Sequence, residues 1–171
     1  MKTLFDNWSI SDTGIITKPD LDRMLTRNTN IICVGDMQYW DEILLLRVSE
    51  IYSNTPFWIA IYNECKVSPS VLFLNKRDCL LICTDHRIEI IDLKKQKSIM
   101  YKEILGCFLF AKQISDRILI ISEIGIYILN NRYQEILNQP TDLIERFNIS
   151  NELLSYKTLS GTNELDITQY R

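Results

Sequence analysis

Two lines of sequence decide the fold: Asp78–Ile99, DCLLICTDHRIEIIDLKKQKSI, and Asp116–Leu137, DRILIISEIGIYILNNRYQEIL. They superpose without a gap at an offset of 38 residues. Asp78 then falls on Asp116, Leu80 on Ile118, Ile88 on Ile126, Ile90 on Ile128 and Gln96 on Gln134. Each copy is an apolar run, a short polar corner (Thr84–Arg87, Ser122–Gly125), a second apolar run and a polar turn. That order is the pattern of a β-hairpin. Both faces of a strand such as Leu80–Cys83 are apolar, so the sheet must be covered on both sides.

Working outward, the runs 71–74, 79–84, 88–93, 99–103, 106–112, 117–122 and 126–130 predict seven strands joined by turns of hairpin length. Phe57–Tyr62, aromatic and β-branched throughout, predicts another strand, and Asn30–Val34 a short one. Upstream, Trp8, Ile10, Ile15 and Ile16 alternate weakly, which suits a short strand or an irregular lead-in. Pro19–Arg27 predicts a helix: Pro fits a first helical position, Asp20 and Asp22 suit its positive end, and Leu21, Met24 and Leu25 share a face. Asn28, Thr29 and Asn30 break it. Trp40, Ile43, Leu44, Val48 and Ile51 recur at helical spacing and predict a second helix over Met37–Tyr52, with a strand through Glu42–Val48 as the rival reading. After Pro140, Leu143, Ile144 and Phe147 predict a short helix over Thr141–Asn148. Glu152–Leu159 reads as a last edge strand, and Ser160–Arg171 as a tail with little to bury.

The expected fold class is therefore α+β and β-dominated. It is a mostly antiparallel meander sheet or sandwich, with one or two N-terminal helices and a short C-terminal helix. A length of 171 residues suits one domain over 1–171, with a helix-containing part (1–56), a β-meander core (57–137) and a C-terminal helix and tail (138–171). Val67, Ser68, Pro69 and Ser70 read as a connector.

A net charge of −3 argues against direct nucleic-acid binding, which draws on Lys and Arg. The acids dominate at the flanks: Lys plus Arg against Asp plus Glu is 5 to 8 over residues 1–60, 9 to 6 over 61–115 and 5 to 8 over 116–171. The cysteines, Cys33, Cys65, Cys79, Cys83 and Cys107, mostly sit in apolar runs, the start is too polar for a signal-peptide core, and no apolar run is long enough to span a bilayer. We expect a cytoplasmic protein with reduced thiols.

A catalytic apparatus is not legible. His86 is the only histidine, and its equivalent in the second copy is Ile124. Cys79 and Cys83 share one face of a strand and lack the second pair that a zinc site needs. The five glycines are isolated, so no phosphate loop is present. We expect no catalytic residues, no cofactor and no metal.

Two resemblances extend these readings. Residues 78–137, with the line DRILIISEIGIYILNN, resemble hairpins of a β-propeller blade; two copies lack the number of blades and the Gly-His and Trp-Asp marks of that family, which implies paired hairpins and not a propeller. In overall character the chain resembles a small bacterial immunity protein, the cytosolic antidote of a toxin–immunity pair of the contact-dependent growth inhibition type. That resemblance implies binding to a toxin domain, a basic nuclease, whose active site would be occluded. Carboxylates and exposed aromatics would make the contacts: Asp116, Glu123, Tyr127 and Glu135 on the second hairpin, and Tyr39, Asp41 and Glu42 on the expected helix. A non-catalytic scaffold or adaptor subunit is the alternative.

Overall fold

Alternation along the strands, and where each face is buried, sets the architecture of the computed structural model, which describes residues 2–5, 7–27, 30–53, 55–64, 69–74 and 77–170. The expected break at Asn28 and Thr29, the thiol of Cys65 and the connector residues Val67 and Ser68 lie outside the described residues. The chain divides into two compact units, Met1–Tyr101 and Lys102–Arg171.

The first unit begins with a five-stranded sheet, β1 (Lys2–Phe5), β2 (Trp8–Ile16), β3 (Ile31–Val34), β4 (Glu42–Glu50) and β5 (Phe57–Asn63), in the spatial order β1-β2-β4-β5-β3. All its pairings are antiparallel except β3 with β5. Helix α1 (Lys18–Thr26) links β2 to β3; Thr17 caps it by accepting the Asp20 N–H, and Pro19 occupies its first turn. The helix buries Leu21 and Met24 against Ile43, Leu45, Ala60 and Tyr62 on one face of the sheet. The other face, with Leu46, Val48, Ile59 and Ile61, packs against Phe73, Leu80, Ile82 and Ile91 of the next sheet. That second sheet is β6 (Ser70–Leu74), β7 (Cys79–Cys83), β8 (Arg87–Asp92) and β9 (Lys97–Glu103), in sequence order. Trp8 ties the two sheets together by donating its indole N–H to Asp78, 3.0 Å away.

The second unit repeats this pairing of sheets. Strands β10 (Phe108–Ile114), β11 (Arg117–Ser122), β12 (Gly125–Leu129) and β13 (Glu135–Pro140) form one sheet, again in sequence order. Strands β14 (Ile144–Ser150), β15 (Leu153–Thr158) and β16 (Gly161–Asp166) form the other, followed by a 3-10 turn, Ile167–Gln169. Leu119, Ile121, Ile126 and Ile128 pack against Ile144, Leu154, Tyr156 and Leu165 across this pair.

Residues 38 apart do the same work. Thr84 and Ser122 are buried, and each donates its hydroxyl to the carbonyl three residues on, Arg87 O at 3.4 Å and Gly125 O at 3.2 Å. Asp92 and Asn130 each accept backbone N–H groups in the turn that follows, from Lys95 at 2.9 Å and from Arg132 and Gln134 at 2.8 and 3.0 Å. A third copy exists that the sequence comparison missed: Thr158, also buried, donates to Gly161 O at 3.4 Å across the β15–β16 corner.

Four expectations are corrected. The α+β meander or sandwich is instead four separate small sheets. The second N-terminal helix over Met37–Tyr52 is strand β4; Ile43 and Leu45 face α1 while Leu46 and Val48 face the second sheet, and apolar residues on both faces imitate helical spacing. The C-terminal helix over Thr141–Asn148 is β14, held by its ladder to β15 and by burial of Ile144. The tail from Ser160 is β16 and the 3-10 turn, anchored by Leu165 and Ile167.

Candidate binding surface

Strand β2 carries Ser11-Asp-Thr-Gly14 in the middle of its apolar alternation, and there its ladder to β4 slips between Asp12 and Ile15. Gly14 takes φ +97°, Asp12 accepts its N–H at 2.7 Å, and Thr13 donates its hydroxyl to Leu45 O at 2.6 Å. Such a bulge bends the strand locally and re-aims the side chains beside it. It borders an open cleft of about 590 Å³, within the size range of small-ligand sites. Phe5, Ile10, Leu44, Leu46 and Val71 form the apolar walls, with Ile15, 63% exposed, also lining the cleft. Asp12 and Glu42 are the only ionisable side chains among its described lining residues, and both are acidic.

Of the residues expected at a partner surface, Tyr39, Asp41 and Glu42 lie next to one another at the start of β4 and in the loop before it, not on a helix. Tyr39 is 70% exposed, Asp41 is exposed and donates its N–H to Asn63 O at 2.9 Å, and Glu42 lines the cleft.

In the second unit Glu123, Tyr127 and Glu135 converge on the segment 102–107. Glu135 pairs with Lys102 at 2.6 Å, and Glu123 accepts the Cys107 N–H at 3.2 Å. Tyr127 is only 1% exposed, and its hydroxyl accepts the Leu105 N–H at 2.7 Å. A buried ring cannot anchor a partner, so Tyr127 is corrected from a surface contact to a core residue. Gly125 is required beside it, since a Cβ there would lie 2.8 Å from the Tyr127 hydroxyl. Asp116 is exposed in the β10–β11 turn, apart from these contacts.

A polar group that the sequence did not suggest joins four elements of the first unit. Lys18 pairs with Asp22 at 3.0 Å and donates to the Tyr62 hydroxyl at 3.3 Å. Cys33 hydrogen-bonds Tyr62, and burial, the largest influence, pushes its thiol up. Glu89, the counterpart of Tyr127 in the repeat, is buried; desolvation raises its carboxyl above the usual range, against hydrogen bonds from Ser98 and from the Gly35 N–H. These shifts keep the thiol protonated and the carboxyl harder to ionise, the opposite of an activated nucleophile. Burial likewise pushes the Cys83 thiol far up. Among the described residues, no three His, Cys, Asp or Glu side chains gather as a metal site.

No protein-family model matches the chain, and no curated protein matches it. Among solved structures it is similar to BamB from Moraxella catarrhalis, with a TM-score of 0.52 and 11% identity over 96% of this chain and 41% of that one. It is also similar to hydrazine synthase of Kuenenia stuttgartiensis, with a TM-score of 0.52 and 11% identity over 84% of this chain and 47% of that one. The chain thus spans less than half the length of each. These neighbours are propeller-like, so the fold is of the β-propeller kind. The blade resemblance of residues 78–137 holds, and the inference that paired hairpins exclude a propeller-like fold is corrected. No helix among the described residues is long and apolar enough to cross a membrane.

Proposed function

We propose that the chain is a non-catalytic binding protein that works by holding another protein, and that the cleft beside the β2 bulge, with Tyr39 and Asp41 next to it, is where it does so. The observation that carries this reading is the cleft's chemistry: an apolar floor open to solvent, with carboxylates and no basic group among its described lining residues. Apolar anchors with flanking opposite charge are the usual chemistry of a protein contact. The partner that fits is basic on its contacting side. In its strongest form the reading makes that partner a toxin nuclease and this chain its cytoplasmic antidote, with Asp12, Asp41 and Glu42 facing the toxin's Lys and Arg side chains. A permanent scaffold subunit is the other form.

Co-expression with the product of the neighbouring gene tests it. The expected result is a complex that survives purification, weakens more than tenfold with Ile15→Asp, and loses association rate with Glu42→Lys. Protection of cells from that product, lost in the same variants, marks the antidote form; a complex without protection marks the scaffold. A complex indifferent to both substitutions overturns the assignment of the cleft.

A further inference from the structure

Three connecting segments of the second unit meet at the β11–β12 corner. There Glu123 donates its N–H to Cys107 O at 2.9 Å and takes the Cys107 N–H on its carboxylate at 3.2 Å. The Glu123 carbonyl accepts the Ile144 N–H at 2.7 Å, and the Ile124 carbonyl accepts the Thr141 N–H at 3.0 Å. Gly106 brings the first segment close: its φ is +69°, and a Cβ there would lie 2.9 Å from Ile124 Cγ1. Residues 104–107, the corner 122–125 and the connector 140–144 are thus tied into one assembly, with the corner carbonyls already taken.

What this assembly shows to solvent is apolar. Leu105 is 50% exposed, Ile124 37% and Leu143 45%. Leu105 and Leu143 lie 38 residues apart, so the repeat sets a leucine at the same place in the connectors before β10 and before β14, both on segments joined to the corner. A single exposed leucine is ordinary, but apolar side chains on three adjoining segments make a patch of the kind that marks an interaction site. Its border is acidic: segments 103–107, 122–125 and 140–143 carry Glu103, Glu123 and Asp142 and no Lys, Arg or His. A second copy of this chain, or an anionic lipid surface, would bring like charge to the patch and is disfavoured for that reason.

We propose that this corner docks an amphipathic helix of a protein partner, whose apolar face covers Leu105, Ile124 and Leu143 and whose Lys or Arg side chains meet the acidic border, Asp142 foremost. A helix fits because it satisfies its own main chain and offers only side chains, whereas an added strand would find the Glu123 and Ile124 carbonyls occupied. The backbone beneath the patch is held before the partner arrives, so little ordering entropy is lost on contact. The inference goes beyond the cleft of the first unit and does not depend on it.

The probe is a synthetic helix of leucine and lysine with the leucines along one face, compared with its leucine and glutamate counterpart. Binding to the full chain is followed by fluorescence anisotropy and by methyl NMR at Leu105, Ile124 and Leu143. The lysine helix is expected to shift those three methyl signals, to bind about tenfold more tightly than the glutamate helix, and to weaken as salt is added. Leu143→Ser should weaken it about tenfold, and Asp142→Lys should narrow the preference between the two helices; both residues are exposed, so the fold is kept. Methyl signals that do not move, or an affinity unchanged in Leu143→Ser, overturn the proposal. A homodimer, or adsorption to phosphatidylserine vesicles, that disappears in Leu143→Ser also overturns it, by giving the patch to a second copy or to a membrane. Ile15→Asp leaves binding at the corner intact. A helix released by Ile15→Asp and retained by Leu143→Ser is bound at the cleft, which overturns the corner and leaves the cleft standing.

Discussion

Three buried hydroxyls, on Thr84, Ser122 and Thr158, occupy one chemical role in three hairpins. Deleting any of them removes a side-chain hydrogen bond at the corner while the backbone pairing remains, as the Thr84 N–H still donates to Arg87 O at 2.9 Å, so Thr84→Val, Ser122→Ala and Thr158→Val should each cost about 1 kcal/mol in urea unfolding, whereas Ser122→Thr should cost less than half of that. Tyr127→Phe removes the acceptor of the Leu105 N–H and should cost about 1 kcal/mol, since Leu105 is half exposed, while leaving partner affinity unchanged, because the ring is internal. Glu89 gives a pH signature. Its folded-state carboxyl sits above the unfolded value, so its contribution is fully present below the unfolded pKa and is lost as pH rises through the folded one. Glu89→Gln should therefore raise the melting temperature at pH 7 and have little benefit near pH 4. An equal gain at both values would show that the carboxyl does not titrate high. Asp92 runs the other way: burial opposes its ionisation, but the Lys95 amide and ammonium outweigh that and hold it below the usual carboxylate range. Its contribution is present above the unfolded pKa and fades as pH falls through the folded value, so Asp92→Asn should cost stability at pH 7 and little at acid pH.

At the scale of elements, the strands β5 to β12 were legible because runs such as Cys79–Cys83 and Arg117–Ser122 are apolar on both faces and are cut by polar corners. Strand β4 misled for the same reason: with both faces apolar, its residues satisfy a helical template as well as an extended one. The third hairpin was hidden by its composition. Strand β15 alternates Leu153-Leu-Ser-Tyr-Lys-Thr158, with one face buried, and its likeness to β11 lies in the corner hydroxyl more than in hydrophobicity. The bulge in β2 is announced by Gly14, a lone glycine inside an apolar alternation. Gly14→Ala meets open space but keeps φ +97°, so it should cost about 1 kcal/mol of stability through backbone strain alone, with a larger proportional loss of partner binding at the cleft.

At the scale of the molecule, each unit carries its own stacked pair of sheets, and truncating a residue at the centre of either stack should be severe. Leu80→Ala in the first and Ile128→Ala in the second should each cost about 2–5 kcal/mol, read by chemical denaturation. By itself the sequence determined the hairpin unit, its 38-residue recurrence and the need to cover both faces, because period and apolar content are local properties of the chain. Only the tertiary structure decided that the hairpins form four sheets and that Glu123, Tyr127 and Glu135 turn inward to fix the segment 102–107. It also decided that Glu42 and Asp12, thirty residues apart in the chain, line one cleft. Those outcomes depend on which strands pair and which faces meet, and such contacts join residues far apart in the chain, where no local pattern reports them.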